Sequence, residues 1–299
     1  MRTYSRLEDA LADGPAVAVV ANPTSLHVQT ARAALAAGAN VLLEKPVAAD
    51  LASARSLLEE ARRSRSAISV AYCFRYHPLY RRLREAVAEG RLGRPFHLRT
   101  WQASYLPGWH PWEDYRTSYA ARADLGGGVV RTLDHDLDMI RWILGQPTQV
   151  LASASSLAGL GLGVEDTADM VFRLGSAQAN VHVCFGRRDY SRGLCVTGEQ
   201  GSAELDWNAG SLTIRCGNDV KEIVRLSEGF DLNDVYLEMT REALAGLAAD
   251  PPRPAVDLAH GVAALEMALG ALESSKTGRA VQLVASSPFS GRACSAFSR

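Results

Sequence analysis

The sequence predicts an α/β chain in two unlike parts: a parallel sheet with crossover helices over residues 1–95, then an α+β segment over residues 96–299 built on an open, mostly antiparallel sheet. Between residues 7 and 72, short apolar runs alternate with amphipathic stretches, the rhythm of strands joined by helices in a parallel sheet. From Phe96 onward, strand-length segments of alternating polarity are separated by turns carrying Gly, Asn or Asp. A chain of 299 residues also reads as two domains at typical domain sizes.

The elements follow in order. Leu7-Glu8-Asp9-Ala10-Leu11 opens a helix that feeds the buried strand Ala16 to Ala21 (AVAVVA). Asn22-Pro23-Thr24 then opens a second helix, with Asn suited to the N-cap, Pro to the first helical position, and Gly38 to the stop. Val41-Leu42-Leu43 is the next strand and ends at Glu44; a helix runs from the cap Asp50 to Arg63; Ile68 to Tyr72 is a strand before Arg75-Tyr76-His77-Pro78. The α/β rhythm stops near Gly93. Strands are expected at 96–105, 167–174, 178–185, 193–197, 202–206 and 211–216, around one helix near 131–144. Two further helices, 231–249 and 255–275, are separated by Pro251-Pro252-Arg253-Pro254, where prolines forbid continuation. The small, polar residues 285–299 are expected to fray.

Composition narrows the partners. Charged residues make up 22 % and hydrophobic ones 47 %, with a net charge of -1, which points away from disorder and from nucleic acid and toward a small molecule. The cysteines at 73, 184, 195, 216 and 294 form no C-x-x-C pair, so they read as thiols of a reducing compartment. The start lacks an apolar signal-peptide core, and no uncharged run approaches the ~18 residues a membrane helix needs. A cytoplasmic protein with no membrane partner is expected.

Chemistry concentrates at a few places. Ligands of doubly wound sheets sit beyond the carboxyl ends of the strands, where both Asn22-Pro23-Thr24 and Glu44-Lys45-Pro46 fall. A helix N-terminus at Asn22 suits a cofactor phosphate or ribose, although an ordinary capped helix explains the same residues. Lys45, held at the crevice by Pro46, could exchange a proton with a substrate hydroxyl or carbonyl, its pKa lowered by partial burial; the alternative is a surface lysine at a strand end. Gly126-Gly127-Gly128 permits close approach of a ligand or another chain and leads to Asp134, His135 and Asp138, with His135 and Asp138 on a common helical face. That cluster suits a carboxylate-oriented general base, metal ligands, or a solvated helix start. Between Trp101 and Tyr119 lie three of the five tryptophans among polar residues, a pattern shared by sugar sites and by packing interfaces. The single glycine-loop candidate, Gly159-Leu-Gly161-Leu-Gly163-Val164, lies outside any βαβ context and reads as a loop.

Taken in order, Asn22–His27, Gly38–Pro46, Phe74–Pro78, Gly126–Trp142, Gly198–Glu204 and Ala271–Ser274 make the chain resemble the Gfo/Idh/MocA oxidoreductases, the relatives of glucose-fructose oxidoreductase and inositol dehydrogenase. The resemblance implies a Rossmann domain that binds NAD or NADP, followed by a dehydrogenase-type α/β domain whose open sheet supports a homo-oligomer. It implies hydride exchange between the nicotinamide and a hydroxyl or keto group of a sugar, nucleotide-sugar or cyclitol. Lys45 and His135 would be catalytic; Asn22, Pro23, Thr24, His27, Glu44, Lys45 and Pro46 would line the nicotinamide side; Arg75, Tyr105, Trp109 and Asp134 would meet the substrate. Two departures stand out: Arg131 and Thr132 occupy the positions where many relatives place an aspartate, leaving Asp134 and Asp138 to stand in, and the family's glycine loop has no counterpart. The second departure predicts an incomplete Rossmann domain and leaves open a truncated homologue that only binds or regulates, or a wrongly started gene product. A metal-dependent sugar isomerase or lyase is the third reading.

Overall fold

The computed structural model describes residues 2–284. α1 (Leu7–Ala12), β1 (Val17–Val20), α2 (His27–Ala36), β2 (Asn40–Leu43), α3 (Leu51–Arg63) and β3 (Ile68–Val70) follow one another, and the strands pair in parallel in the order β1-β2-β3. Val41, Leu42 and Leu43 are buried, as a central parallel strand covered on both faces requires. Val19 on the edge strand β1 is instead 66 % exposed. The edge at β3 is closed by the Val256 carbonyl, which accepts the Val70 N–H at 2.8 Å. Val256, Leu258, Val262, Ala264 and Leu265 complete this core, so the far end of the chain returns to pack on its beginning.

Local chemistry explains the helix boundaries, with one correction. Asn22 does not cap α2. Pro23 keeps an extended backbone, a single 3-10 turn (Thr24–Leu26) intervenes, and the Asn22 side chain reaches forward to donate to Thr30 Oγ1 at 2.8 Å. Gly38, at φ +82°, ends the helix as expected. Asp50 caps α3, its Oδ1 accepting the Ser53 N–H at 2.8 Å.

The second part contains α4 (Pro78–Ala88), β4 (Pro95–Tyr105), α5 (Val129–Thr132), α6 (His135–Leu144), β5 (Gln149–Ser155), β6 (Thr167–Leu174), β7 (Ala177–Cys184), β8 (Gly186–Gly198), β9 (Gly201–Asp206), β10 (Ser211–Cys216), β11 (Asp219–Arg225), α7 (Leu232–Leu247), α8 (Leu258–Thr277) and β12 (Val281–Gln282). Its nine strands run β11-β10-β9-β8-β4-β7-β6-β5-β12, with β4 and β7 parallel and the other neighbours antiparallel. Leu98 and Thr100 of β4 are buried beneath the helices, whereas Arg99 and Trp101 alternate onto the opposite face, the guanidinium 4.9 Å from the indole centroid. The single helix expected over 131–144 is two helices, interrupted at Leu133 and Asp134. The expected fraying of 285–299, and Cys294 with it, lies outside the described residues.

Candidate active site

Lys45 leaves the carboxyl end of β2 through a cis bond to Pro46, and the Glu44 carboxylate accepts its N–H at 3.1 Å. Its side chain is 14 % exposed and crosses to the break between α5 and α6. There Nζ donates to the Thr132 carbonyl at 2.8 Å and lies 3.7 Å from Asp134 Oδ1. Tyr72, just beyond β3, donates its hydroxyl to Asp134 Oδ2 at 3.1 Å. His135, the first residue of α6, sits with its ring centroid 4.4 Å from that of Phe74. The helix break is what allows Thr132, Asp134 and His135 to face the strand ends together.

Burial sets the proton affinities. It penalises the Lys45 ammonium, but the negative charges around it, Asp134 foremost, outweigh that penalty and raise its pKa above the ordinary lysine value. The lowering expected from partial burial is therefore corrected: a buried carboxylate beside the amine reverses the sign. Burial pushes Asp134 up to about 7 against the opposing pull of Lys45 and the Tyr72 hydroxyl. Burial, followed by the charges of Lys45 and Arg192, drives the His135 pKa well below its usual value, so its imidazole is neutral at physiological pH.

Six buried side-chain polar atoms among the described residues have no hydrogen-bond partner. Five of them, Asn22 Oδ1, Arg131 Nε, Thr132 Oγ1, Asp134 Oδ1 and His135 Nδ1, belong to the turn after β1 and the stretch 131–135. Unpaired buried polar groups are costly, and their concentration here marks where a ligand would satisfy them.

The other sequence candidates divide. Thr24 is buried against Gly126, whose added Cβ would approach Thr24 Cβ to 3.0 Å, so the turn after β1 touches the glycine segment. His27 is buried, with Nδ1 2.8 Å from the Pro46 carbonyl and Nε2 2.8 Å from the Asn22 carbonyl. Its ring ties the turn after β1 to the segment after β2. Burial also lowers its pKa, and a neutral ring donates to one of the two carbonyls. Tyr105 and Trp109 line a cavity of about 410 Å³ beside β8.

Arg75 and Asp138 are bound to each other. Arg75 Nε and Nη2 grip Asp138 Oδ2 and Oδ1 at 2.8 and 2.5 Å, with both side chains buried. The pair takes two of the five Arg75 donors and engages the carboxylate expected to orient His135. Asp136 is likewise engaged, its Oδ2 accepting from Arg192 Nη2 at 3.1 Å, and among the described residues no three His, Cys, Asp or Glu groups are placed to hold a metal. The glycines meet their own chain: a Cβ on Gly127 would lie 2.3 Å from the Tyr119 carbonyl oxygen, and one on Gly128 would lie 2.3 Å from Glu165 Oε1.

Sequence reasoning passed over Tyr72, which carries a hydroxyl at the carboxyl end of a strand, and Arg192. The latter is fully buried, bonded through Nε to the Tyr80 hydroxyl (2.9 Å) and through Nη1 to Gln102 (2.7 Å), and lies 4.1 Å from the Phe74 centroid. Alternation along β8 places Arg192 in step with Leu194 and Val196, a signal that it faces the core.

A parallel sheet with a lysine at its crevice, facing a carboxyl and a histidine from an open-sheet domain, defines the class: a two-domain, dinucleotide-linked oxidoreductase. Residues 1–72 match the family model described as oxidoreductase family, NAD-binding Rossmann fold, and residues 80–204 match the GFO/IDH/MocA C-terminal domain. The chain belongs to the Gfo/Idh/MocA family. It is 28 % identical over 295 residues to 1,5-anhydro-D-fructose reductase of Ensifer adhaerens, covering 94 % of this chain and 84 % of that protein. Over 275 residues it is 28 % identical to myo-inositol 2-dehydrogenase of Thermotoga maritima, covering 89 % of this chain and 79 % of that protein. Levoglucosan dehydrogenase in complex with NADH shares the fold at TM-score 0.84 and 18 % identity, over 94 % of this chain and 83 % of that one.

Proposed function

We propose that this chain interconverts a hydroxyl and a carbonyl on a sugar, nucleotide-sugar or cyclitol, with NAD or NADP as the redox partner and with Lys45 and His135 at the reacting carbon. The observation that carries this reading is the convergence of Lys45 Nζ on Thr132 and Asp134, from residues far apart in sequence, at the carboxyl ends of the parallel strands. The unpaired Asn22 Oδ1 and Thr132 Oγ1 fit polar atoms of a nicotinamide there. Asn22, Pro23, Thr24, Glu44 and Pro46 would hold that end of the cofactor, while His27 fixes their backbone. When bound, the nicotinamide supplies the acceptor or donor of hydride.

The protein's own groups would handle the proton. Lys45, kept charged, stabilises oxygen as negative charge develops on it. Asp134, with a pKa near 7, exchanges protons at neutral pH next to that ammonium. Neutral His135 offers an unpaired ring nitrogen to the hydroxyl. Tyr105 and Trp109 offer aromatic faces suited to sugar C–H surfaces. The names of the relatives, a reductase of an anhydro sugar and a dehydrogenase of a cyclitol, support that substrate class. The division at residue 95 and a homo-oligomer formed through the face carrying Arg99 and Trp101 belong to the same reading.

The test is a panel of sugars and cyclitols with NAD+ or NADP+, read by the absorbance of the reduced cofactor. Wild type turns over at least one compound, and Lys45→Ala lowers kcat/KM by about a hundredfold or more, the usual range for a lost acid–base group. Unchanged turnover in Lys45→Ala would remove Lys45 from the chemistry.

A further inference from the structure

The cavity beside β8 carries information about the substrate that the Lys45 site does not. It measures about 410 Å³, within the usual range for small-ligand sites, and is lined by Gln102, Ser104, Tyr105, Trp109, Arg188 and Tyr190. Arg188 and Tyr190 of β8 line this cavity, whereas Arg187 lines a neighbouring one. Arg187 pairs with Asp189 at 2.6 Å, and Arg192 is neutralised by buried Asp136 at 3.1 Å. Arg188 differs from both. Among the described residues no carboxylate lies within ion-pair distance of it, and its guanidinium rests 4.4 Å from the centroid of the Tyr105 ring. Stacking on a ring fixes the plane of the guanidinium and leaves its edge donors directed outward, an arrangement suited to a two-oxygen anion.

The cavity is tied to the reacting side chains through buried packing. Gln102 accepts from Arg192 at 2.7 Å, Arg192 lies 4.1 Å from the Phe74 ring centroid, and that ring is 4.4 Å from His135. The remaining walls suit a sugar: Trp109 and Tyr190 provide rings, and Ser104, which accepts from Trp109 Nε1 at 3.2 Å, keeps its own hydroxyl proton for a ligand.

Building on the oxidoreductase reading, we propose that the substrate is an anionic sugar, bearing a carboxylate or a phosphate that pairs with Arg188 in this cavity. Arg188 is exposed, so an anionic group trades water for an ion pair there, while a neutral sugar gains no such pair. A charge-assisted hydrogen bond is worth about tenfold to a hundredfold in affinity, which sets the size of the preference.

Calorimetric titration at constant ionic strength, without cofactor, tests this with D-glucuronate, D-glucose 6-phosphate and D-glucose as probes. Wild type is expected to bind at least one anionic sugar about tenfold or more tightly than D-glucose, and the two anions show which group the cavity takes. Arg188→Gln erases the preference, Arg188→Lys keeps part of it, and Arg62→Gln, on the remote helix α3, leaves it intact. Equal affinity for all three sugars, a preference that survives Arg188→Gln, or no binding of any probe overturns the proposal. Turnover of neutral sugars alone would sink this inference and leave the oxidoreductase reading standing. An Arg188-dependent preference without hydride transfer would do the reverse.

Discussion

Replacing Arg192 with Met tests how the site is anchored. Arg192 and Asp136 are both fully buried, and the guanidinium bonds to Asp136, Tyr80 and Gln102 at 3.1, 2.9 and 2.7 Å. Methionine fills much of the same space but leaves the Asp136 carboxylate in the core with Thr100 Oγ1 as its remaining side-chain donor, at 2.5 Å. Breaking a buried pair by removing one partner costs about 3–5 kcal/mol, whereas replacing both partners with apolar residues of similar volume is close to neutral. Arg192→Met should therefore lower the unfolding free energy in urea by about 3–5 kcal/mol, and Arg192→Met/Asp136→Leu should recover most of that loss. Because Asp136 neighbours His135, the single variant should also lose turnover before it loses fold. A loss under about 1 kcal/mol, or a double variant no more stable than the single one, would refute the claim that this pair ties α6 to the sheet.

Two further outcomes follow from the geometry around the crevice. Asp134, raised to about 7, binds its proton more tightly in the folded chain than in the unfolded one, so its contribution favours folding at low pH and is lost as pH climbs from about 4 to 7. About three units at about 1.4 kcal/mol each bounds this loss near 4 kcal/mol. Asp134→Asn should flatten the pH dependence of the urea midpoint across that window, and an unchanged slope would mean that Asp134 does not titrate there. The raised pKa of Lys45 adds stability that is lost only above the ordinary lysine range, outside the window. Gly127→Ala would place a methyl 2.3 and 2.6 Å from the Tyr119 and Ala120 carbonyl oxygens, both backbone atoms, and should destabilise by about 1–3 kcal/mol. A midpoint equal to wild type would show that the 119–121 segment yields freely.

What the sequence revealed tracks how local the determining physics is. β2 and the position of Lys45 were legible because a strand buried on both faces reads as a continuous apolar run, and α3 because Asp50 supplies a cap that acts within three residues. α4 was equally local, with Leu79, Tyr80, Leu83 and Ala86 on its buried side, but its many arginines obscured the stripe. The partners of the acidic residues after the glycines were not legible. Helical spacing shows that His135 and Asp138 share a face, yet it says nothing of Arg75, 63 residues away, which claims Asp138. The direction of the Lys45 shift was hidden for the same reason, since it depends on a carboxyl brought over from another domain. Three-dimensional neighbours decide charge, and only the structure supplies them.

The central claim is that the Lys45 crevice carries hydride chemistry on a sugar carbon. The most direct measurement takes the compound that the panel selects, deuterated at the reacting carbon, and follows the deuterium by NMR. Label appearing at C4 of the reduced nicotinamide in wild type, and not in Lys45→Ala over the same interval, is the predicted result. Label retained in the sugar or released to solvent while product forms would contradict it.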